Sequence, residues 1–284
     1  THEEIHLDLV ATLTDVPMSF ANKLLDEKIA KLDGGLDAEF TILGTYQDPE
    51  IKGNGVLKDA VVGVTYLGTE YFINGRFNVL PDGIELNGIQ VRDQKGGEAM
   101  LVGTALHEGF EKWNLDISLN IEDETKPLEI MDICNSPDAY FYGKGKATGD
   151  INAFGYDGEI TIEARLKTFE GTDFVLPMET ATSSTWTSFI EFIDHSAYEK
   201  NDGDKFQKKT SVNLDLIIEV TEESQARIIF DEAVGDEIMG RCSGTIHLSL
   251  DDLERLSMFG ALEIVEDDYL FTFYNFINKK FVAE

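Results

Sequence analysis

The amino-acid sequence predicts an all-β fold, and three observations support that prediction. Apolar and polar residues alternate without interruption from Trp113 to Ile121, and nearly so from Val212 to Val220. Such alternation places one side of an extended strand in a core and the other side in water. Roughly 15 to 18 segments of this kind follow one another at the spacing typical of all-β chains. Glycines also lie inside several of these segments, where they mark bends, bulges or close backbone contacts.

One segment predicts a specific irregularity within a strand. In Ile84–Val91 the apolar residues change parity across Asn87 and Gly88. A one-residue bulge at that dipeptide would return both halves of the strand to the same face. Strands that bend repeatedly while keeping one apolar face indicate either a sheet curled around a groove or the corners of a closed sandwich.

Two segments depart from the strand pattern. An apolar stripe at helical spacing follows Pro17 and ends before Gly34, which predicts a short amphipathic helix over residues 16–33. We expect this helix to pack in the core or to cap one end of the sheet. The stretch Trp186–Ile193 fits either a short helix or a strand that is buried on both faces, and the polar residues at about 195–210 are expected to form a loop.

The charge balance argues against some classes of partner. The 284 residues include 54 Asp and Glu but only 23 Lys and Arg, which gives a formal net charge of −31. A field of that sign repels phosphate backbones, so nucleic acid is not expected as a partner. The sequence contains no run of about 18 apolar residues and does not start like a signal peptide. We therefore expect any targeting or anchoring segment to lie outside this sequence.

A search for catalytic chemistry finds no supported site. The five histidines form no HxxxH or HExxH pair, so no metal site is expected. Cys242 is expected to be a small buried thiol and not a nucleophile. The segment Gly143–Gly149 lacks the spacing of a phosphate-binding loop and does not lead into a helix. We expect neither an enzyme nor a cofactor.

Several segments of the chain resemble a known family. The phrase YLFTF…INKKF near the end of the sequence is the most specific of them, and the glycine-containing strand phrases add to it. The segments that carry the resemblance are Val16–Phe20, Leu43–Val56, Phe141–Tyr156, Gly171–Pro177, Ala226–Leu248 and Asp268–Phe281. Together they are similar to the C-terminal region of the TamB (translocation and assembly module) family, within the AsmA-like superfamily.

The resemblance implies a fold and a cellular role. The fold is an elongated β-taco: one sheet folded into a U, with an apolar inner groove and a charged exterior, here as a single domain over residues 1–284. Family members lie in the periplasm of Gram-negative bacteria, and the full-length proteins are anchored in the inner membrane. They pair with an Omp85-type (TamA-like) outer-membrane protein, through regions outside this sequence. They are held to carry phospholipids to the outer membrane, with the acyl chains in the groove, and to assist outer-membrane protein assembly.

Three functional hypotheses follow. In the first, the protein is a hydrophobic groove that conducts phospholipids from the inner to the outer membrane. In the second, it is a scaffold or chaperone that assists assembly of outer-membrane proteins, such as autotransporters, by strand pairing. In the third, it is a closed β-sandwich module without a ligand. The lipid-groove candidates are the apolar residues at the cleanest alternation: Ile73, Phe77, Met100, Val102, Trp113, Leu115, Ile117, Leu119, Ile160, Ile162, Leu214, Leu216, Ile218, Ile246, Leu248, Met258 and Leu262.

Overall fold

The computed structural model describes most of the chain. The described residues are 6–24, 30–109, 112–135, 141–177, 211–231, 236–251, 256–265, 269–273 and 277–281. Within these ranges, none of the helical segments is long and apolar enough to cross a membrane. The predicted loop at about 195–210 and the ambiguous stretch Trp186–Ile193 lie outside the described residues.

The prediction of an all-β fold is confirmed. The described residues form a 16-stranded sheet. Its strands are β1 His6–Pro17, β2 Ala30–Thr45, β3 Pro49–Val64, β4 Thr69–Leu80, β5 Gly83–Asp93, β6 Glu98–Glu108, β7 Lys112–Ile121, β8 Leu128–Ile133, β9 Tyr142–Tyr156, β10 Glu159–Thr168, β11 Asp173–Pro177, β12 Ser211–Asp231, β13 Asp236–Leu250, β14 Leu256–Ile264, β15 Tyr269–Phe273 and β16 Ile277–Phe281.

The strands follow a simple order in the sheet. Strands β1 to β7 are successive neighbours, and β9, β10, β12 and β13 continue from β7. Strand β12 runs parallel to β10 and β11, while the other pairs are antiparallel. The first half of β9 pairs with β8 and its second half pairs with β7. Strands β14 and β15 both pair with β13, and β16 pairs with β15. Chain order and spatial order therefore agree along most of the sheet.

The strand register divides the sheet into an apolar face and a polar face. Neighbouring strands place residues of the same character opposite one another, because the side-chain period of a strand is two. One apolar row crosses eight strands in register: Ile89, Leu101, Leu119, Ile151, Ala164, Leu216, Leu248 and Met258. The adjacent row on the opposite face is polar from Ser118 through Asn152, Glu163, Asp215 and Ser249.

The sheet curls towards its apolar face. Residues of six strands, from Ala60 on β3 to Leu128 on β8, form one buried group. We call this group the central cluster: Ala60, Ile73, Ile89, Val91, Ala99, Ile121 and Leu128. A flat sheet would hold β3 and β8 far apart, since neighbouring strands are about 4.8 Å apart. The apolar face is therefore concave; we call it the inner face and the polar one the outer face.

The bulge predicted from the parity change in β5 is confirmed. Leu86 pairs with Gly103 and Ile89 pairs with Leu101, so β5 contains one more residue than β6 between these two pairs. Gly88 has a φ of 73°, a left-handed conformation that costs glycine little. The extra residue keeps both halves of β5 on the inner face, as the apolar pattern requires.

In the part of residues 16–33 that the structure describes, the predicted helix is a short 3₁₀ helix, Met18–Leu24. The prediction was wrong at both ends, because the first residues belong to β1 and residues 30–33 belong to β2. Strand pairing satisfies the backbone groups there and places the apolar Leu32 on the inner face. The side-chain amide of Asn22 fixes the short helix to β2: it donates to the Leu32 carbonyl at 2.8 Å and accepts from the Leu32 amide at 2.7 Å.

Candidate functional site

Fifteen of the seventeen groove candidates lie on the inner face. The register places Ile73 opposite Val91 and Phe77 opposite Leu86, and it continues through the second half of the sheet. The other inner-face candidates are Trp113, Leu115, Ile117, Leu119, Ile160, Ile162, Leu214, Leu216, Ile218, Ile246, Leu248, Met258 and Leu262. The structure thus brings together candidates from six strands on one concave surface.

Met100 and Val102 lie on the outer face, away from the other fifteen candidates. They pair with Asn120 and Ser118, which belong to the polar rows, and Met100 is 44% exposed. Strand β6 is apolar on both faces, so its sequence alone cannot show which face turns inward. The inner positions of β6 include Leu101, whose partner Leu119 is itself a groove candidate.

Most groove candidates are neither fully buried nor fully exposed. Ile73 and Phe77 are buried at 9% exposure, and Trp113 and Met258 are exposed at 37% and 46%. The other eleven inner-face candidates are half-buried. The interior of a closed sandwich packs its inward side chains to the density of a crystal. A half-buried apolar surface across β7, β10, β12 and β13 is instead the geometry of an open groove.

The most deeply buried inner-face residues are not among the predicted candidates. Ile89 and Leu128 are fully buried and Ile121 is 1% exposed, and all three belong to the central cluster. Because of the bulge at Gly88, the alternation in the first half of β5 does not assign Ile89 to the inner face. The parity change in the sequence does indicate the bulge, and the bulge places Ile89 on that face. Leu128 follows a turn and lies in a short strand, so its position depends on contacts that sequence periodicity does not report.

Glycines shape the inner face. Gly103 and Gly149 occupy inner positions with φ angles of 144° and 127°, which side-chain-bearing residues rarely adopt. A Cβ atom would lie 2.2 Å from the Asp116 carbonyl oxygen at Gly103 and 2.0 Å from the Arg165 carbonyl oxygen at Gly149. The neighbouring strands approach so closely at these points that only glycine fits.

The two faces differ sharply in charge. In the register of β1 to β14, the inner positions carry neither lysine nor arginine. The outer face carries ion pairs such as Arg92 with Glu98 at 3.4 Å and Lys167 with Glu124 at 2.9 Å. The Glu124 carboxylate raises the pKa of Lys167 through a hydrogen bond. A ligand on the inner face would therefore be held by apolar contacts and not by cationic side chains.

A polar group closes one end of the central cluster. The buried carboxylate of Asp93 accepts hydrogen bonds from the backbone amides of Lys95, Gly97 and Glu129 at 2.7, 2.8 and 2.7 Å. The Lys95 ammonium hydrogen bonds to the Glu129 carboxylate, which raises the pKa of Lys95. Burial raises the pKa of Tyr71 to about 12. These groups tie β8 to the ends of β4 and β5.

Comparison with protein-family models identifies a related family. The model of the family described as the TamB C-terminal domain matches residues 87–283, which is more than half of the chain. The matched range begins at the bulge of β5 and includes most of the inner-face candidates. No curated protein and no solved structure matched the chain.

Proposed function

Because the chain belongs to the TamB family, as the match to the family's C-terminal domain shows, we propose that its inner face is a groove that conducts phospholipids from the inner to the outer membrane. The family acts in outer-membrane assembly and lipid transport. The observation that carries the proposal is the apolar row from Ile89 to Met258, which crosses eight strands without a polar residue. A single-ligand pocket would not need such a continuous row.

The energetics of an acyl chain support this proposal. A chain of about 16 carbons loses roughly 0.8 kcal/mol per CH₂ when it leaves water, so exposing it costs on the order of 12 kcal/mol. Half-buried side chains such as Leu115, Ile117 and Leu216 can cover that surface without covalent chemistry. About 15 strands stacked at 4.8 Å would extend roughly 70 Å, which suits a track for lipids. We accordingly propose a non-enzymatic role.

The placement of the lipid headgroup follows from the charges. Inner positions of β1 to β14 lack lysine and arginine, and the protein carries a net charge of −31. The phosphate would therefore remain in solvent at the mouth of the groove while the acyl chains occupy the inner face. We place this activity in the periplasm, between an inner-membrane anchor and an Omp85-type partner, both outside the described residues.

The experiment that tests the groove compares two adjacent residues. Leu216 lies on the inner face, whereas Ile217 lies on the outer face and is 38% exposed. We would purify the protein and its Leu216→Asp and Ile217→Asp variants without detergent, incubate each with phosphatidylethanolamine vesicles, and measure bound lipid by native mass spectrometry. Loss of lipid from Leu216→Asp alone, with the β-sheet circular dichroism retained, supports the proposal. Equal lipid binding by all three proteins contradicts it.

A second function, scaffolding of outer-membrane protein strands, has its own supporting observation. Within the described sheet, β1 pairs only with β2, so its other edge is open. Leu9 and Val10 on this strand are 52% and 67% exposed. An open, apolar edge can accept an added strand. This function predicts that Val10→Lys weakens binding of a peptide from a transmembrane β-strand, whereas Leu216→Asp leaves that binding unchanged.

A further inference from the structure

Strand β8, Leu128–Ile133, is attached very differently along its two edges. One edge forms an antiparallel ladder with β9, from the pair Leu128 and Ala147 to the pair Ile133 and Gly143, with a one-residue irregularity between Glu129 and Met131. The other edge faces the ends of β4 and β5, and within the described sheet it pairs with no strand there. Two hydrogen bonds from side chains satisfy the backbone of Glu129 at that edge. The Tyr71 hydroxyl donates to the Glu129 carbonyl at 2.9 Å, and the Glu129 amide donates to Asp93 at 2.7 Å.

The contacts at this second edge are few. The Lys95 ammonium pairs with Glu129 and with Asp132, the latter at 3.7 Å, and Lys95 is partly exposed. The pair with Asp132 is partly exposed on both sides and contributes little to stability, whereas the Glu129 side chain is nearly buried. Close backbone packing completes the edge: a Cβ atom at Gly97 would lie 2.7 Å from the Leu128 Cα atom. The ladder to β9 is therefore the stronger attachment, and the edge facing β4 and β5 is the one that detaches first.

The inner side of β8 covers the deepest part of the apolar face. Leu128 is fully buried in the central cluster, where it meets residues such as Ile89 and Ile121. Ile130 packs against the central cluster and also against the cluster of Ala147, Ala164 and Leu166. Strand β8 thus lies against two apolar clusters of the inner face. Its removal would expose a floor in register with the half-buried rows of β7 and β9.

We propose that β8 is a hinged strap over a cryptic acyl-chain site. The strap opens by releasing Glu129 from Tyr71 and Asp93 while it keeps its ladder to β9. An alkyl chain then takes the place of the Leu128 and Ile130 side chains against Ile89 and Ile121. This inference rests on the proposed lipid-conducting function, and it adds the point along the groove at which passage is controlled.

The strap is tested first without lipid, by hydrogen exchange with mass spectrometry. Tyr71→Phe keeps the ring and removes the bond to the Glu129 carbonyl. We expect exchange of the amides in residues 128–133 that face away from β9, such as the Glu129 amide, to rise about fivefold, the factor for one hydrogen bond of about 1 kcal/mol, with β6 and β7 unchanged. The matched control is Tyr46→Phe, because Tyr46 is 81% exposed. Exchange in residues 128–133 that stays at the wild-type rate in Tyr71→Phe overturns the strap.

A second variant keeps the test decisive if Tyr71→Phe loses its fold. Lys95→Met removes the ion pairs to Glu129 and Asp132, and we expect faster exchange in residues 128–133 again. Its control is Lys52→Met, which removes the exposed pair to Glu50 at 3.2 Å, away from β8. Exchange that rises equally over the whole sheet in Lys95→Met, or not at all in residues 128–133, contradicts a hinged strap.

The lipid-dependent part of the test measures hydrogen exchange in the presence of 1-palmitoyl-lysophosphatidylcholine. Glycerophosphocholine, which lacks the acyl chain, is the control. We expect the palmitoyl compound alone to protect residues 112–121 and 211–220 and to deprotect residues 128–133 at least threefold. Protection of the inner strands without any change in residues 128–133 refutes the strap and leaves the groove standing. An absence of any response on the inner face refutes the groove itself and, with it, the cryptic site.

Discussion

Leu216 on β12 and Leu248 on β13 are direct cross-strand partners on the inner face, and the next pair along the ladder, Ile217 and His247, lies on the outer face. The His247 imidazole there donates a 2.5 Å hydrogen bond to the Asp215 carboxylate. The alternation between an apolar pair and a polar environment within one step of the chain is what separates an apolar face from a solvated one. It also supplies matched substitutions on adjacent residues.

Truncation of a side chain to alanine should destabilise the protein more on the inner face than on the outer face. Ile89 is fully buried, whereas Met100, in the neighbouring strand, is 44% exposed. Ile89→Ala leaves a cavity in the central cluster and should lower the free energy of unfolding by about 2–5 kcal/mol. Met100→Ala should lower it by less than about 1 kcal/mol. Urea denaturation followed by circular dichroism measures both. Equal losses for the two variants would show that the central cluster is not a packed core.

The close approach of β9 and β10 predicts that replacing Gly149 by any other residue destabilises the protein. Gly149→Ala places a methyl group against the Arg165 carbonyl oxygen at a φ of 127°. We expect a loss of about 3 kcal/mol or more, because both the backbone strain and the clash must be relieved. Gly109→Ala is the control: Gly109 has a φ of 60° and nothing lies within 4 Å of the added Cβ atom. That variant should lose about 1 kcal/mol in thermal or chemical denaturation. A Gly149→Ala protein as stable as Gly109→Ala would contradict the close approach of β9 and β10.

The buried Tyr71 predicts an alkaline loss of stability. Burial raises its pKa from 10.0 to about 12 in the folded protein. The unfolded chain therefore releases this proton first, so stability is complete below pH 10 and falls as the pH rises towards 12. With a shift of that size the loss is roughly 3 kcal/mol. We expect Tyr71→Phe to lack this component when unfolding is compared at pH 9 and pH 12. If the free energies of unfolding of the wild type and of Tyr71→Phe differ by the same amount at pH 9 and at pH 12, the burial of the hydroxyl is contradicted.

The net charge predicts how lipid binding depends on salt. With −31 charges on the protein and no cationic side chain at the inner positions of β1 to β14, anionic phosphatidylglycerol should bind more weakly than phosphatidylethanolamine at 10 mM salt. The difference should fall at 500 mM salt, because the Debye length falls from about 30 Å to a few ångströms. Native mass spectrometry at matched lipid concentrations measures both affinities. A preference for phosphatidylglycerol at low salt would indicate a basic headgroup site.

Much of the two-faced architecture could be predicted from the sequence, because burial on one side of a strand imposes a period of two. The bulge of β5 was predictable for the same reason: Ile84 and Val91 can share a face only if one residue is extra. Strand β6 shows where this reasoning ends. Its two faces are both apolar, so the choice between Leu101 and Val102 depends on the register with β7, which periodicity does not supply.

The position of β8 could not be predicted, since non-local contacts determine it. The hydrogen bond from Tyr71 to Glu129 joins residues 58 positions apart in sequence, and nothing in the local pattern around Glu129 indicates it. The predicted helix failed for a related reason. Leu32 belongs to the apolar stripe at helical spacing, but pairing of residues 30–33 with β3 satisfies their backbone groups and leaves Leu32 half-buried on the inner face.

The most direct test of the central claim is photo-crosslinking of lipid from within the groove. A benzoylphenylalanine would replace Leu216 in one protein and Ile217 in another, and each would be irradiated with radiolabelled phosphatidylethanolamine. We predict that label attaches to the protein substituted at Leu216 and not to the one substituted at Ile217. Equal labelling at both positions, or none at either, would contradict a lipid-conducting inner face.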